Sequence, residues 1–447
     1  MTAPANTTQR IKTTRSRCLS CLSSCAAEVW LAGENPEQVF MKRTCPDHGE
    51  QWTLLSSDSR FYWQSQGSSS ASEDCCQSGS CCTDGSPSSA GSSTFEQLST
   101  CVALIEIVNS CNLKCPTCFA DSLTGPVDAV PLDEIKQRIE GVIQRKGGIE
   151  ILQLSGGEPT LHPQFFELLE WANQHSAIDY ILINTNGLLI AKDDAFLAQL
   201  GKAVKLGHMQ VYLQYDGPGE AGHTSLRGAD LRKVKQQAIE RCEQIELPVT
   251  LAMTVIPDNL DQIWNSISFG LQYPHVRGIS FQPMFGSGRT TSEASEHSDR
   301  QLNVADIILS AITQSDGQLK SADFTPLPCG DPNCATIGYL LKINGEVRSI
   351  SDFVDFSQVQ DFLSDRLRYS LEDLASCGCD SEPLGALLKQ FELDASHTFR
   401  LLIKPFMDAR SWDDHRIDRC CTHVIRPDGK LDSFCRYYSG FSDCQPC

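Results

Sequence analysis

The stretch Val102-Ala-Leu-Ile-Glu-Ile-Val108, running on through Asn109-Ser-Cys111-Asn-Leu-Lys-Cys115-Pro-Thr-Cys118-Phe-Ala120, decides the architecture. The first seven residues are rich in β-branched and aliphatic side chains and predict a strand. Three cysteines at C-x3-C-x2-C spacing follow it directly. Three thiolates on one loop can hold three corners of a cubane iron–sulfur cluster. The fourth iron then lacks a protein ligand and is open to a small molecule, as a catalytic zinc is. With 22 cysteines in 447 residues, about 0.05 such triplets are expected by chance, so the spacing needs its context.

Downstream, strands and helices alternate. Strands are expected at Ile149–Leu154, Tyr180–Ile183, Gln210–Gln214, Val249–Val255 and Gly278–Gln282. Between them the apolar residues recur at helical spacing, as in Leu132, Ile135, Ile139 and Val142, with Asp133 and Glu134 suited to a first helical turn. Six strands in such alternation predict a parallel sheet with right-handed crossovers, either doubly wound or a partial (β/α)6 barrel. A full eight-unit barrel needs two more units. In either form the active groups belong at the carboxyl ends of the strands.

Those ends carry further candidates. Gly156-Gly157-Glu158-Pro159 follows the second strand. Its glycines permit close backbone approach, and its carboxylate can accept from an ammonium group. Asn184 and Asn186 end the third strand, and Gln214 and Asp216 end the fourth. Asn-Gly and Asp-Gly are common turn formers, which accounts for Gly187 and Gly217.

Composition divides the chain into residues 1–65, a small metal-binding module; 66–99, a Ser/Cys-rich linker; 100–285, the core; and 300–447, a cysteine-rich α+β extension. In the first, Cys18 and Cys21 have metal-ligand spacing, with Cys45 as a third ligand and the fourth open among Cys25, His48 and the linker thiols. The linker pairs Cys75 with Cys76 and Cys81 with Cys82, which suit an auxiliary cluster or are reactive thiols on a flexible segment. In the extension Cys329, Cys334, Cys420 and Cys435 are the leading ligand candidates, the last two flanking a turn at Pro427-Asp-Gly-Lys430. Cysteines this numerous, in a chain without a secretory signal, point to metal ligation rather than disulfides.

The formal net charge of −19 disfavours nucleic acid as a partner. No apolar run is long enough to cross a membrane. A cytoplasmic protein is the expectation.

The cysteine loop after the first strand, together with Gly156-Gly-Glu-Pro-Thr-Leu-His-Pro163, resembles the radical S-adenosylmethionine superfamily. Cys45-Pro-Asp-His-Gly49, Ile183-Asn-Thr-Asn-Gly187, Val211-Tyr-Leu-Gln-Tyr-Asp-Gly217, Gly278-Ile-Ser-Phe-Gln-Pro283 and Arg419-Cys420 narrow the resemblance. They are similar to the tetraether lipid synthases and dihydropterin methyltransferases. The resemblance implies a [4Fe–4S] cluster on Cys111, Cys115 and Cys118 that binds S-adenosylmethionine, with the Gly156–Pro159 turn meeting the methionyl amine. It implies reductive cleavage to a 5′-deoxyadenosyl radical, auxiliary [4Fe–4S] clusters, and a mononuclear iron or zinc in the N-terminal module. A small-molecule or lipid substrate and a one-electron donor such as flavodoxin or ferredoxin are implied as partners. The expected outcome is carbon–carbon bond formation by lipid-chain coupling or pterin-type methylation. Modification of a peptide or another metabolite, and a non-catalytic electron carrier, are the alternatives.

Overall fold

The computed structural model describes residues 4, 7–33, 36–63, 100–290, 301–327, 329–343, 346–353 and 397–441. Cys75, Cys76, Cys81 and Cys82, and also Cys377, Cys379, Cys444 and Cys447, lie outside the described residues.

The N-terminal module is an antiparallel sheet in sequential order: β1 (Thr7–Arg17), β2 (Ser24–Ala32), β3 (Gln38–Cys45) and β4 (Gly49–Ser56). Alternation along β2 and β3 turns Ala27, Val29, Leu31, Val39 and Met41 onto one buried face. The module docks on the C-terminal region through polar contacts. Buried Arg43 donates to the carbonyls of Ala409 and Arg410. Ser16 donates to the Trp412 carbonyl at 2.6 Å, and Lys12 pairs with Asp413 at 2.6 Å.

The second sheet begins with β5 (Val102–Val108), β6 (Ile149–Gly156), β7 (Ile178–Thr185), β8 (Met209–Gln214), β9 (Val249–Val255) and β10 (Val276–Pro283). Each is parallel to the next, as the alternation predicts. The helices are α1 (Leu132–Lys146), α2 (Phe165–Gln174), α3 (Leu188–Lys192), α4 (Asp194–Val204), α5 (Glu220–Arg227), α6 (Arg232–Gln244), α7 (Ile263–Leu271), α8 (Val304–Gln314), α9 (Asp414–Asp418) and α10 (Phe434–Ser439). In α1, Leu132, Ile135, Ile139 and Val142 form the buried stripe, and Gly147 at φ 84° ends the helix in the left-handed conformation.

The C-terminal residues enlarge this same sheet. They add β11 (Thr325–Pro326), β12 (Thr336–Ile343), β13 (Glu346–Ser349), β14 (Thr398–Ile403), β15 (Thr422–Ile425) and β16 (Leu431–Ser433). β14 lies parallel to β10 at one edge, and β15 lies parallel to β5 at the other. Eight strands therefore run parallel in the order β15-β5-β6-β7-β8-β9-β10-β14. β12 continues antiparallel beyond β14, and β15 and β16 form the hairpin expected around Pro427–Lys430. Among the described residues, no helix is long and apolar enough to cross a membrane.

Candidate active site

Side chains from all eight parallel strands border one cavity of about 300 Å³. They include Gln153, Leu182, Tyr212, Thr250, Gln282, Arg400 and Thr422. Cys111, Cys115 and Cys118 line it together with Gly156, Gly157, Glu158, Asn184, Asn186 and Gln214. Residues separated by more than a hundred positions in sequence thus converge on one space that runs from the first residues of β5 and β15 to the carboxyl ends of β6, β8 and β10. Pro159 is buried beneath the turn, and Asp216 is buried behind the cavity wall.

The cysteine loop is fixed by backbone pairing. Gly157 donates to Val108 O at 2.8 Å and Glu158 to Ser110 O at 3.0 Å. A Cβ on Gly156, whose φ is +119°, would lie 2.1 Å from Val108 O; one on Gly157 would lie 2.2 Å from Ser110 O. The close approach that these glycines permit is to the base of the cysteine loop itself. On the other side, Cys118 and Arg289 exchange backbone hydrogen bonds at 2.8 and 2.9 Å. The Arg289 side chain donates to Cys115 O at 3.0 Å and Ser122 O at 2.9 Å. No local sequence pattern marks Arg289 as a brace. The C-terminal helix α10 adds a lid of aromatic contacts, with Phe119 edge-on to Tyr438 at 4.9 Å.

Glu158 is fully buried, and its carboxylate is saturated by the chain's own donors. Oε1 accepts from the Thr160 and Thr185 hydroxyls, both at 2.6 Å, and Oε2 from Asn186 N at 2.8 Å. Burial pushes its carboxyl up while these donors pull it down. The side chain therefore ties the end of β6 to the end of β7. Asn186 reaches from there to Asn112 Oδ1 at 2.7 Å, on the cysteine loop.

Asp216 stands at φ 64° with no exposure. Burial works against its charge, but Arg227 overrides it and holds the carboxyl below its ordinary range. The guanidinium also acts on Cys115: burial raises that thiol, and Arg227 lowers it. Arg227 escaped the sequence reading, because its partner lies eleven residues upstream across a turn. Lys235 of α6 is also buried and was not anticipated. It donates to Asn186 O at 2.6 Å and Gln214 Oε1 at 3.2 Å, and burial lowers it to about 8.

Cys111 is pushed up to about 11, first by burial and then by Glu158 and the two other thiols. Burial and neighbouring thiols raise Cys111 and Cys115, and a polynuclear cationic group bound at this loop would hold its three cysteines as thiolates. They are not drawn together as ligands of one ion would be: a single tetrahedral metal brings its sulfurs within about 4 Å.

The N-terminal module does gather its ligands that way. Cys18, Cys21, Cys45 and His48 place their ligand atoms within 4.8 Å of one another. His48 Nδ1 lies 3.6 Å from Cys18 Sγ and 3.5 Å from Cys45 Sγ. Of the described alternatives for the fourth position, Cys25 and His48, His48 is the residue brought in. Cys25 is buried nearby, its thiol raised by burial.

A third thiol group sits below β15. Cys101 and Cys329 are joined as a disulfide with Cα atoms 7.5 Å apart, and the Cys421 sulfur lies within 4.8 Å of both. Cys329, expected as a ligand, thus sits beside Cys101 and Cys421, neighbours that spacing did not single out. Cys334, Cys420, Cys421 and Cys435 interact electrostatically, and burial raises Cys420 and Cys435. Cys435, pushed up to about 11, accepts from Met407 N at 3.3 Å.

Comparison with known proteins agrees with this geometry. Residues 105–270 match the radical SAM superfamily. The chain carries a radical S-adenosylmethionine domain. Its cofactors are a [4Fe–4S] cluster and S-adenosylmethionine. Residues 10–57 match the HMPTM N-terminal zinc ribbon domain. The chain is 26% identical to the 7,8-dihydro-6-hydroxymethylpterin dimethyltransferase of Methanocaldococcus jannaschii, covering 95% of this chain and 93% of that protein. It is 32% identical to the GTP 3′,8-cyclase of Syntrophomonas wolfei over 40% of this chain and 55% of that protein. Among solved structures, Streptococcus suis SuiB overlays 50% of this chain and 48% of its own, with 16% identity and a TM-score of 0.39.

Proposed function

We propose that this chain is a radical S-adenosylmethionine enzyme that forms a carbon–carbon bond by methylating a small, polar, pterin-type heterocycle. The observation that carries the reading is the lining of the cavity. Gln153, Gln210, Gln214, Gln282 and Asn184 border it from four strands. Gln282 donates to Tyr212 Oη at 2.7 Å and Asn184 to Ser155 Oγ at 3.1 Å, which leaves both amide oxygens open to accept. The half-buried Gln153 side chain makes no hydrogen bond with another described residue. Buried amides left unpaired cost free energy until a ligand satisfies them. A ring edge that alternates donors and acceptors does so; a lipid chain does not. The full-length likeness to a pterin dimethyltransferase supports the same class.

In this reading the eight parallel strands curve round the cavity as a partial barrel. Cys111, Cys115 and Cys118 hold the cluster, and when bound it supplies with S-adenosylmethionine a 5′-deoxyadenosyl radical able to take hydrogen from carbon. The Gly156–Pro159 turn presents its backbone to the methionyl amine, with Glu158 as the brace that sets the turn. Arg227, beside Cys115, meets the methionyl carboxylate. Asn184, Asn186 and Gln214 border the nucleoside, and Asp216 holds Arg227 in place. Residues of the cavity wall keep water from the reacting carbon.

Cys18, Cys21, Cys45 and His48 hold a structural zinc or iron. Cys101, Cys329, Cys334, Cys420, Cys421 and Cys435 supply ligands for an auxiliary cluster once Cys101 and Cys329 are reduced, and a flavodoxin or ferredoxin supplies electrons.

The test is anaerobic reconstitution followed by dithionite, S-adenosylmethionine and 6-hydroxymethyl-7,8-dihydropterin. Formation of 5′-deoxyadenosine with a product heavier by one or two methyl groups is expected. An intact cluster that yields no 5′-deoxyadenosine sinks the enzyme reading; 5′-deoxyadenosine with an unchanged pterin sinks the substrate.

A further inference from the structure

The cavity holds a charge imbalance that cofactor binding leaves unused. The whole chain carries a formal charge of −19. Yet Glu158 supplies the one carboxylate among the described residues bordering the cavity, against the cations Arg227, Arg400 and Lys404. Glu158 is saturated by hydroxyl and backbone donors, and Arg227 is neutralised by Asp216. Arg400 and Lys404 remain.

Both come from β14 and the residue just after it. Phe399, Leu401 and Ile403 are at most 1% exposed and fill the core, so the alternation turns Arg400, Leu402 and Lys404 toward the cavity. Arg400 is half-buried and forms no ion pair or side-chain hydrogen bond with another described residue. Lys404 donates to Thr422 Oγ1 at 2.7 Å and lies 5.5 Å over the Phe406 ring, with no carboxylate partner among the described residues. Its charge also reaches the thiols of Cys421 and Cys435.

A cation withdrawn from water without a counter-ion is costly, and the cost is recovered when an anion arrives. The planar fork of arginine matches phosphate oxygens two at a time, and lysine adds a point charge. The two residues stand roughly 13 Å apart along the strand, and two long side chains can converge on one group across that span. Five strands separate β14 from β5, which leads into the cysteine loop. Arg227 is tied to Asp216 after β8 and to Thr254 of β9, and β10 lies between β9 and β14, so the cation pair stands on a different strand from the groups that hold Arg227.

We propose that Arg400 and Lys404 bind a phosphate group carried by the substrate, so that the substrate is a small polar heterocycle bearing a phosphate or diphosphate ester. The proposal rests on the cavity being the substrate site, as read above.

The test is equilibrium binding to the full-length, anaerobically reconstituted protein, using four probes: 6-hydroxymethyl-7,8-dihydropterin, its diphosphate ester, inorganic pyrophosphate and S-adenosylmethionine. Wild type is expected to bind the ester at least about tenfold more tightly than the free alcohol, the effect of one good charge-assisted contact. R400Q is expected to erase that difference while leaving the alcohol and S-adenosylmethionine unchanged. K404Q is expected to reduce it at unchanged iron content. Equal affinity for ester and alcohol in wild type overturns the proposal. So does an R400Q variant that loses S-adenosylmethionine, because the anion is then the cofactor's carboxylate. If neither pterin binds, the heterocycle is wrong. Pyrophosphate then decides the anion site: binding to wild type and not to R400Q upholds it, and no binding to wild type overturns it. Loss of iron in K404Q assigns Lys404 to the C-terminal thiols and removes it from the pair.

Discussion

Arg227 holds Asp216 at two points, Nε to Oδ2 at 2.6 Å and Nη2 to Oδ1 at 2.9 Å, while its guanidinium borders the cysteine-lined cavity. Both partners are almost wholly withdrawn from water. Removing one member of a buried pair strands the other, at about 3–5 kcal/mol. R227M is therefore expected to be much less stable than wild type in urea denaturation, and R227M/D216N to recover a large part of the loss. Strict additivity of the two single effects refutes the coupling. The pair also predicts an acid limb. Asp216 is held below its ordinary value, so its contribution is complete above pH ~4 and is lost as pH falls through the depressed value. The R227M/D216N variant should lack that component.

Gly157 tests how the cysteine loop is seated. A methyl group there meets Ser110 O at 2.2 Å and Ser110 C at 2.5 Å, backbone atoms that cannot rotate away. G157A is expected to bind less iron after reconstitution and to lose roughly 1–3 kcal/mol or more, as overpacked interiors do. Gly125 is the control, because a Cβ there meets nothing within 4 Å. G125A should keep full iron content. Equal iron in G157A and wild type would show that the loop can shift without losing the site.

These two residues also mark the limits of what sequence discloses. The strands, the helices and the cysteine loop are legible because they rest on local periodicity and spacing: β5 and β9 fall where their apolar runs predict. β14 and β15 are not legible as the two outer strands of the parallel set, because they join its edges only through pairing with β10 and β5, at long range in the chain. The Gly-Gly turn is legible as a motif, yet its steric reason, the backbone of Val108 and Ser110, requires coordinates. Glu158 reads as a ligand group in sequence and proves to be hydrogen-bonded by its own chain. Arg289, Arg227 and Arg400 are ordinary surface residues by composition; tertiary packing alone turns them toward the site.

His48 and Cys25 separate two ligand sets for the N-terminal module. His48 joins Cys18, Cys21 and Cys45 within 4.8 Å, and Cys25 does not. H48A is expected to lose the module's metal or bind it at least tenfold more weakly, whereas C25S keeps it. Metal analysis of H48A and C25S, each against wild type, reads this site by difference, because every other thiol is common to the three proteins. The opposite ranking assigns the fourth position to Cys25. Because structural metals stabilise their small folds outright, chelation should also weaken the docking that Arg43 makes to Ala409 and Arg410, read as faster proteolysis between residues 57 and 63.

Lys235 gives a prediction whose slope has the same sign as that of Asp216, in an alkaline window instead of an acid one. It is fully buried, donates to Asn186 O and Gln214 Oε1, and is lowered to about 8 from an ordinary 10.5, chiefly by burial. Below pH 8 both the folded and unfolded chains carry the charge, and folding bears the whole desolvation cost. Between pH 8 and 10.5 the unfolded chain binds more protons than the folded one, so this residue's contribution to stability rises with pH. A shift of this size corresponds to about 3 kcal/mol. K235M lacks the titration. The difference in unfolding free energy, wild type minus K235M, should therefore climb across that window and be flat below it. K235M should also loosen the Asn186 and Gln214 contacts, raising the dissociation constant for S-adenosylmethionine at pH 7 with little change in iron content. A pH-independent difference between the two proteins would mean that Lys235 titrates normally and is solvated in the folded chain.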